Sequence, residues 1–247
     1  MKTDMMEVCL LAGKIMLQSG AETYRVEDTM MRIASSFGAK ESHSYVTPTG
    51  IMFSIECEQP TKTKLIRITD RTTDLHKITL VNSVSRQISN KELTLEEAYQ
   101  SLKNIESSTP SYPIIIQVLA AAIASGCFLI MFKGTWDDFF PAFVAGGTGL
   151  ITFIYAQRIV PIKFFSEFVA SLIIAILSWI FVYTGWGYEL DKIIIGSVMP
   201  LVPGLVLTNA VRDLMAGHLV SGLSKGAEAL LTAFAIGSGV AVVLTFI

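Results

Sequence analysis

The pattern of hydrophobic and polar positions changes character near residue 112: amphipathic and alternating segments precede it, and long apolar runs follow. Over residues 5–17 (MMEVCLLAGKIML) apolar side chains recur at three- and four-residue spacing and Gly20 offers a stop, which predicts an amphipathic helix. A second helix begins near Ala21. Along it Tyr24, Val26, Met30, Ile33, Ala34 and Phe37 share one side, Glu22, Arg25, Asp28 and Arg32 face away, and Gly38 ends it. From Ser44 the pattern turns to β: SYVTPTGIMFSIE and TKLIRIT cluster or alternate β-branched residues around a bend at Pro48, Thr49 and Gly50. Asp74 caps a further helix reaching Ile88. Thr94 and Glu97 have capping-box spacing ahead of another, and residues 107–110 (SSTP) read as a polar linker.

Five runs follow that suit a bilayer. Residues 113–132 are apolar throughout and, at roughly 20 residues, long enough to cross its core; runs at 139–156, 165–184, 193–211 and 229–247 make up the rest. Gly146, Gly147 and Gly149 in the second run predict a close-packing face between helices. Glu167 starts the third, and Trp179, Tyr183 and Trp186 near its end resemble an interfacial aromatic belt. The fourth run is the informative one. Pro200 and Pro203, followed by Gly204, remove backbone donors and should kink or break the helix. Such a break is tolerated in lipid only where protein or a polar cavity covers the exposed backbone. Just beyond it Asn209, Arg212 and Asp213 fall at i, i+3 and i+4, which puts an amide, a guanidinium and a carboxylate on one helical face.

Composition agrees with this division. The 247 residues are 51% apolar and 16% charged, outside the range of an ordinary soluble domain. Residues 1–112 hold 13 Lys/Arg and 14 Asp/Glu, against 6 and 7 in residues 113–247. The expected fold is therefore an α-helical integral membrane protein of five transmembrane helices (111–247) with an N-terminal cytoplasmic α+β domain (1–110). Neither part carries the clustered positive charge that nucleic acid requires. Cys9, Cys57 and Cys127 are widely spaced, without CxxC, and indicate neither a disulfide framework nor zinc. No cofactor or metal site is expected: GxSxG, HExxH and GxxxxGK are absent, and His43 and His76 have no neighbour at ligand spacing.

Asp4, Glu7 and Lys14 interrupt the first apolar run, so it is not read as a signal peptide. Arg158 and Lys163 after span two, and Arg212, His218 and Lys225 after span four, mark the inner side. Lys133 and Lys192 lie beside acids in the other loops. The N-terminus is then cytoplasmic and the C-terminus outside, in the cell membrane. An odd span count suits one half of an inverted-topology pair, an architecture of many secondary transporters.

In a broken span a half-helix N-terminus attracts an anionic group and freed carbonyls accept from cations. Ser197, Pro200, Pro203, Gly204, Thr208 and Asn209 are the candidate path for a small carboxylate-bearing solute. Arg212 is a bidentate contact to it, and Asp213 or Glu228 a carrier of the coupling proton. The plainer alternative has Arg212 and Asp213 end span four at the interface and Glu228 cap span five. In the polar half Glu22 and Arg25, and Arg67 and Asp74 with Arg71 and Asp70, are candidates that read first as a solvated face and as a charge network at a bend.

Four stretches resemble the threonine/serine exporter family: AGKIMLQSGAETYRVEDTMMRIASSFG at 12–38, TPTGI at 47–51, RITDRTTDL at 67–75, and VPGLVLTNAVRDLMAGHLVSGLSKGAEALL at 202–231. That family includes two-component members in which a larger subunit like this chain works with a small one. The resemblance implies a proton-driven exporter of threonine and serine or of dicarboxylates such as succinate. It also implies a small polytopic membrane partner of about 150 residues to complete the inverted pair. Glycines in spans two and five could serve that interface or a homo-oligomer. Two alternatives stay open: a membrane-anchored hydrolase carried by the polar half, and a non-transporting scaffold or sensor.

Overall fold

The structure, a computed structural model, describes residues 4–56, 61–108, 112–160, 162 and 164–247. Cys57, Lys163, and Thr109 and Pro110 of the expected linker lie outside the described residues. The chain forms two compact units, Met1–Pro110 with Leu205–Ala227, and Ser111–Gly204 with Glu228–Ile247.

The first unit is built around its first helix. α1 (Met5–Gln18) buries ten of its fourteen residues, so the amphipathic helix expected from its spacing is a central one. A helix apolar on nearly all sides must be enclosed. α2 (Thr23–Ser36), α3 (Leu75–Ser89), α4 (Leu95–Ser107) and a small sheet all pack against it. The sheet is antiparallel in the order β1 (Glu41–Thr47), β2 (Gly50–Glu56), β3 (Lys62–Arg67), with Val46 opposite Ile51 and Phe53 opposite Lys64. β1 starts at Glu41, earlier than the expected Ser44. On β2 the period of two sends Ile51, Phe53 and Ile55 into the core while Met52 stays exposed.

Edge strands need their outer backbone groups covered. At β1 the Val46 N–H donates to Glu27 Oε1 (2.9 Å) and the Val46 carbonyl accepts from Ser221 Oγ (3.1 Å). Asp74 caps α3 through the Lys77 N–H (3.0 Å), and Thr94 with Glu97 closes a capping box on α4. α2 buries Val26, Met30, Ile33 and Ala34 as its pattern predicts, but Tyr24 is exposed and Glu22, assigned to the solvated side, is buried.

The same unit takes in α9 (Gly204–Met215) from Leu205 onward and residues 219–227 of α10 (Leu219–Thr245). The chain reverses between them at Gly217, whose φ of 86° suits only glycine comfortably. The His218 N–H returns to the Asp213 carbonyl (2.9 Å), satisfying the end of α9. Gly222 then allows close approach: a Cβ there would lie 2.5 Å from Leu214 Cγ and 2.9 Å from the Ala210 carbonyl oxygen. Because α10 starts at Leu219 and not at 229, Glu228 sits inside a helix and does not cap one.

The second unit contains α5 (Ile114–Met131), α6 (Phe139–Ile159), α7 (Phe165–Tyr183), α8 (Leu190–Val198) and the remainder of α10. Small residues set its packing: Gly146 faces Ser125, Gly149 faces Ile174, and a Cβ on Gly196 would lie 2.9 Å from Leu129 Cβ. Two buried hydroxyls return to their own helices, Ser125 Oγ to the Ala121 carbonyl (2.9 Å) and Ser178 Oγ to that of Ile174 (2.8 Å), which pairs them within this apolar interior.

After α8 the chain makes a 3₁₀ turn at Met199–Leu201 containing Pro200, passes through extended Val202 (ψ 131°), and resumes as a helix at Gly204. The proline break is therefore real. Among the described residues four helices are long and apolar enough to cross a membrane, or five if the broken pair counts as one span.

Candidate functional site

Two orphan helix ends define the site in the first unit. Between α1 and α2 the chain turns through residues 19–22, with Gly20 at φ 86°. A helix start leaves backbone N–H groups without partners, and Glu22, at the N-cap of α2, makes no side-chain cap bond. Asp213 supplies it from α9. Its Oδ1 accepts the Thr23 N–H (2.9 Å) and its Oδ2 the Thr23 hydroxyl (2.9 Å), so a carboxylate distant in sequence caps α2 where the helix dipole favours negative charge.

The carbonyls of the preceding turn are met by donors from the same hairpin. Asn209 Nδ2 donates to the Gly20 carbonyl (2.8 Å) and Lys225 Nζ to that of Ala21 (3.2 Å). Lys225 also pairs with Asp213 Oδ2 at 2.8 Å. Asp213 is fully buried and Lys225 nearly so, which makes the geometry exacting: buried charges are stable only when paired and hydrogen-bonded.

A second, more open pair flanks the first. Arg212 Nη1 lies 2.6 Å from Glu22 Oε1, and Arg25 Nη1 lies 3.2 Å from Glu22 Oε2. Burial pushes the Glu22 carboxyl up, but its own backbone N–H and the Arg212 and Arg25 guanidiniums outweigh that and hold it below the usual carboxylate range. Glu27, one turn along α2, goes the other way. Burial raises its carboxyl above the usual range against the lowering effects of the Val46 N–H and of His218, whose Nδ1 is 3.8 Å away.

Sequence reasoning placed Asn209, Arg212 and Asp213 on one face, and the structure brings Glu22 and Arg25 to that face. Glu22 is a correction, since its carboxylate is tied between two arginines and not solvated. Thr23, Lys225 and the Glu27–His218 pair were missed. The pattern makes Lys225 a positive charge of the loop after span four, and the structure gives its ammonium to Asp213. Its spacing from Asp213 across Gly217 was the available signal, since a tight hairpin aligns such positions.

The other candidates take no part in the bonds just described. Arg67 is exposed at the end of β3, Asp74 caps α3, and Thr208 is exposed on α9. Ser197, Pro200, Pro203, Gly204 and Glu228 belong to the second unit, where the Ser197 hydroxyl donates to the Ala142 carbonyl (3.2 Å). The face of α9 opposite Asp213 is apolar and open, with Leu207, Val211 and Met215 exposed. A helix with polar groups inward and apolar groups outward is arranged as a membrane protein requires.

A family model described as "Putative threonine/serine exporter" matches residues 7–247. The chain belongs to this family. As a threonine/serine exporter family member with several long apolar helices, it is a multi-pass membrane protein of exporter type. Among its relatives, the "Probable succinate transporter subunit YjjP" of Klebsiella aerogenes is 26% identical over 243 residues, covering 96% of this chain and 92% of the relative. The protein of the same name from Escherichia coli K12 is 26% identical over 96% of this chain and 93% of its own length. The "Threonine/serine exporter" of Corynebacterium glutamicum is 23% identical over 95% of this chain but only 50% of its own. No solved structure matches the family member described here.

Proposed function

We propose that the chain is one subunit of a proton-coupled secondary exporter of small carboxylate-bearing metabolites, threonine and serine or dicarboxylates such as succinate. It works with a small polytopic partner in the cell membrane, with its N-terminus cytoplasmic. Coverage of the relatives supports the two-subunit form: the chain matches nearly the full length of those named as transporter subunits and half of one named as a threonine/serine exporter. In this reading the interrupted backbone around Ser197, Pro200, Pro203 and Gly204, with Thr208 and Glu228, borders the solute path.

The observation that carries the coupling mechanism is the buried Asp213 bound at once by Lys225 and Thr23. A proton arriving on Asp213 cancels its charge, removes the attraction to Lys225 and weakens the cap on α2. The hairpin of α9 and α10 is then free to shift relative to residues 20–23. Arg212 follows, because Glu22 occupies it in the resting state as a carboxylate of the solute would in the next.

The test of the transport reading is efflux of labelled succinate, threonine and serine from cells making this chain with and without a small polytopic membrane protein encoded beside it. Faster efflux of one solute, abolished by a protonophore and by Asp213→Asn, is expected. Unchanged efflux of all three with both proteins inserted would overturn it.

A further inference from the structure

The path and its coupling pair leave one recognised stretch unused. RITDRTTDL at 67–75 runs beside the end of α1, where the Thr72 N–H donates to the Gln18 carbonyl (2.8 Å) and the Asp74 N–H to the Ser19 carbonyl (3.1 Å). Gly20, at φ 86°, turns the chain out of α1 beside this stretch, a backbone conformation that glycine adopts without strain. The two stretches thereby form walls of a cleft of about 200 Å³ floored by Ile15 and lined by Gln18, Asp70, Thr72, Asp74, Lys77 and Glu106.

Its charges are not mutually cancelled. Both Glu106 carboxylate oxygens are taken, by Lys14 (2.8 Å) and Lys103 (2.7 Å), so Glu106 offers the cleft little. Asp74 uses Oδ1 on the Lys77 N–H, and Asp70 uses Oδ2 on the Thr69 hydroxyl (2.9 Å), which leaves one oxygen on each. Lys77 Nζ spends one proton on the Glu106 carbonyl (3.1 Å) and keeps two. Two carboxylates and one ammonium therefore border a space smaller than the roughly 300–1,000 Å³ that houses drug-sized ligands. A molecule of few atoms with an ammonium for Asp70 and Asp74 and a carboxylate for Lys77 fits that inventory.

We propose that this cleft is a binding site for a small zwitterion, an α-amino acid with a short side chain, separate from the transport path. Its position gives the site a regulatory output. Residues 18 and 19 wall the cleft, and the next four hold the bonds to Asn209, Lys225, Arg212 and Asp213. Occupancy thus stiffens the turn that the α9–α10 hairpin grips.

The test is calorimetric titration of the full chain in lipid nanodiscs with L-threonine, L-serine and succinate, together with amide hydrogen exchange. L-threonine or L-serine should raise protection at residues 18–20 and 70–77, and succinate should not. Asp70→Asn and Lys77→Gln should each raise the amino-acid concentration needed for that protection at least tenfold, while Asp137→Ala, outside both the cleft and the proposed path, should leave it within twofold. This readout is local to the cleft, so failure of the export reading and failure of this one give different results. No binding of either amino acid overturns the proposal. So does protection at these residues that survives both cleft variants or that succinate matches, or protection confined to other residues. Should a cleft variant misfold, the exchange map of the wild-type chain decides the same question.

Discussion

Lys225 Nζ stands 2.8 Å from Asp213 Oδ2 across the α9–α10 hairpin, with the two side chains 6% and 0% exposed. A charge this deep stays only because its partner does. Asp213→Ala strands the lysine and opens the cap on α2, and Lys225→Met strands the aspartate; each should cost about 3–5 kcal/mol. The double variant Asp213→Ala with Lys225→Met should lose less than the sum of the single changes, the signature of a directly coupled pair. Thermal unfolding of the four proteins in one detergent checks this, and additive losses would show the pair to be uncoupled.

Much of this architecture is legible in sequence because it rests on local rules. The caps at Asp74 and Thr94, the strands around Gly50 and the break at Pro200 and Pro203 each depend on residues within a few positions of one another. Three features were not legible. α1 has helical spacing, but its enclosure depends on α3 and α4, which lie far along the chain. Glu22 looks solvated because helical spacing puts it on the polar side with Arg25, Asp28 and Arg32, whereas its burial becomes tolerable through Arg212, which lies far along the chain, together with Arg25. The cap on α2 comes from α9, so no window around Thr23 contains it.

The hairpin's closeness is set by Gly222. Valine there would push against Leu214 and, less forgivingly, the Ala210 backbone carbonyl, forcing α10 away from α9 and lengthening the Lys225–Asp213 contact. Overpacking of this kind costs about 1–3 kcal/mol. Gly226→Ala, where a Cβ would find only Ala210 Cβ at 4.0 Å, is the matched control and should be near neutral. A lowered unfolding temperature for the first and not the second is the expected result.

The two glutamates of α2 give opposite pH dependences. Glu22 is held below its ordinary value despite burial, by its backbone N–H and its arginines, so its contribution is full above the unfolded carboxylate pKa of about 4.3 and is lost as pH falls through the folded value. Arg212→Gln should move that acid loss to higher pH. Glu27 is raised, chiefly by burial, so its contribution is full below about 4.3 and is lost as pH rises through the folded value. Glu27→Gln can still accept from the Val46 N–H and should remove that loss on the higher-pH side. Unfolding temperature measured from pH 3 to 8 for the three proteins reads both signs.

In the second unit the buried carboxylate is Asp138. It is wholly enclosed, and its oxygens accept the Tyr188 N–H (2.7 Å), the Glu189 N–H (3.2 Å) and the Thr135 hydroxyl (3.2 Å). It thus ties the start of α6 to the turn before α8, where no regular structure satisfies those amides. Asp138→Ala leaves two backbone donors without their acceptor, at about 1–3 kcal/mol for each that stays buried. Asp138→Asn keeps one good acceptor and should lose roughly half as much. Asp137, its exposed neighbour, provides the control: Asp137→Ala should change unfolding temperature little. If Asp138→Ala proves as harmless as Asp137→Ala, the turn is held by its own backbone and the carboxylate is incidental to it.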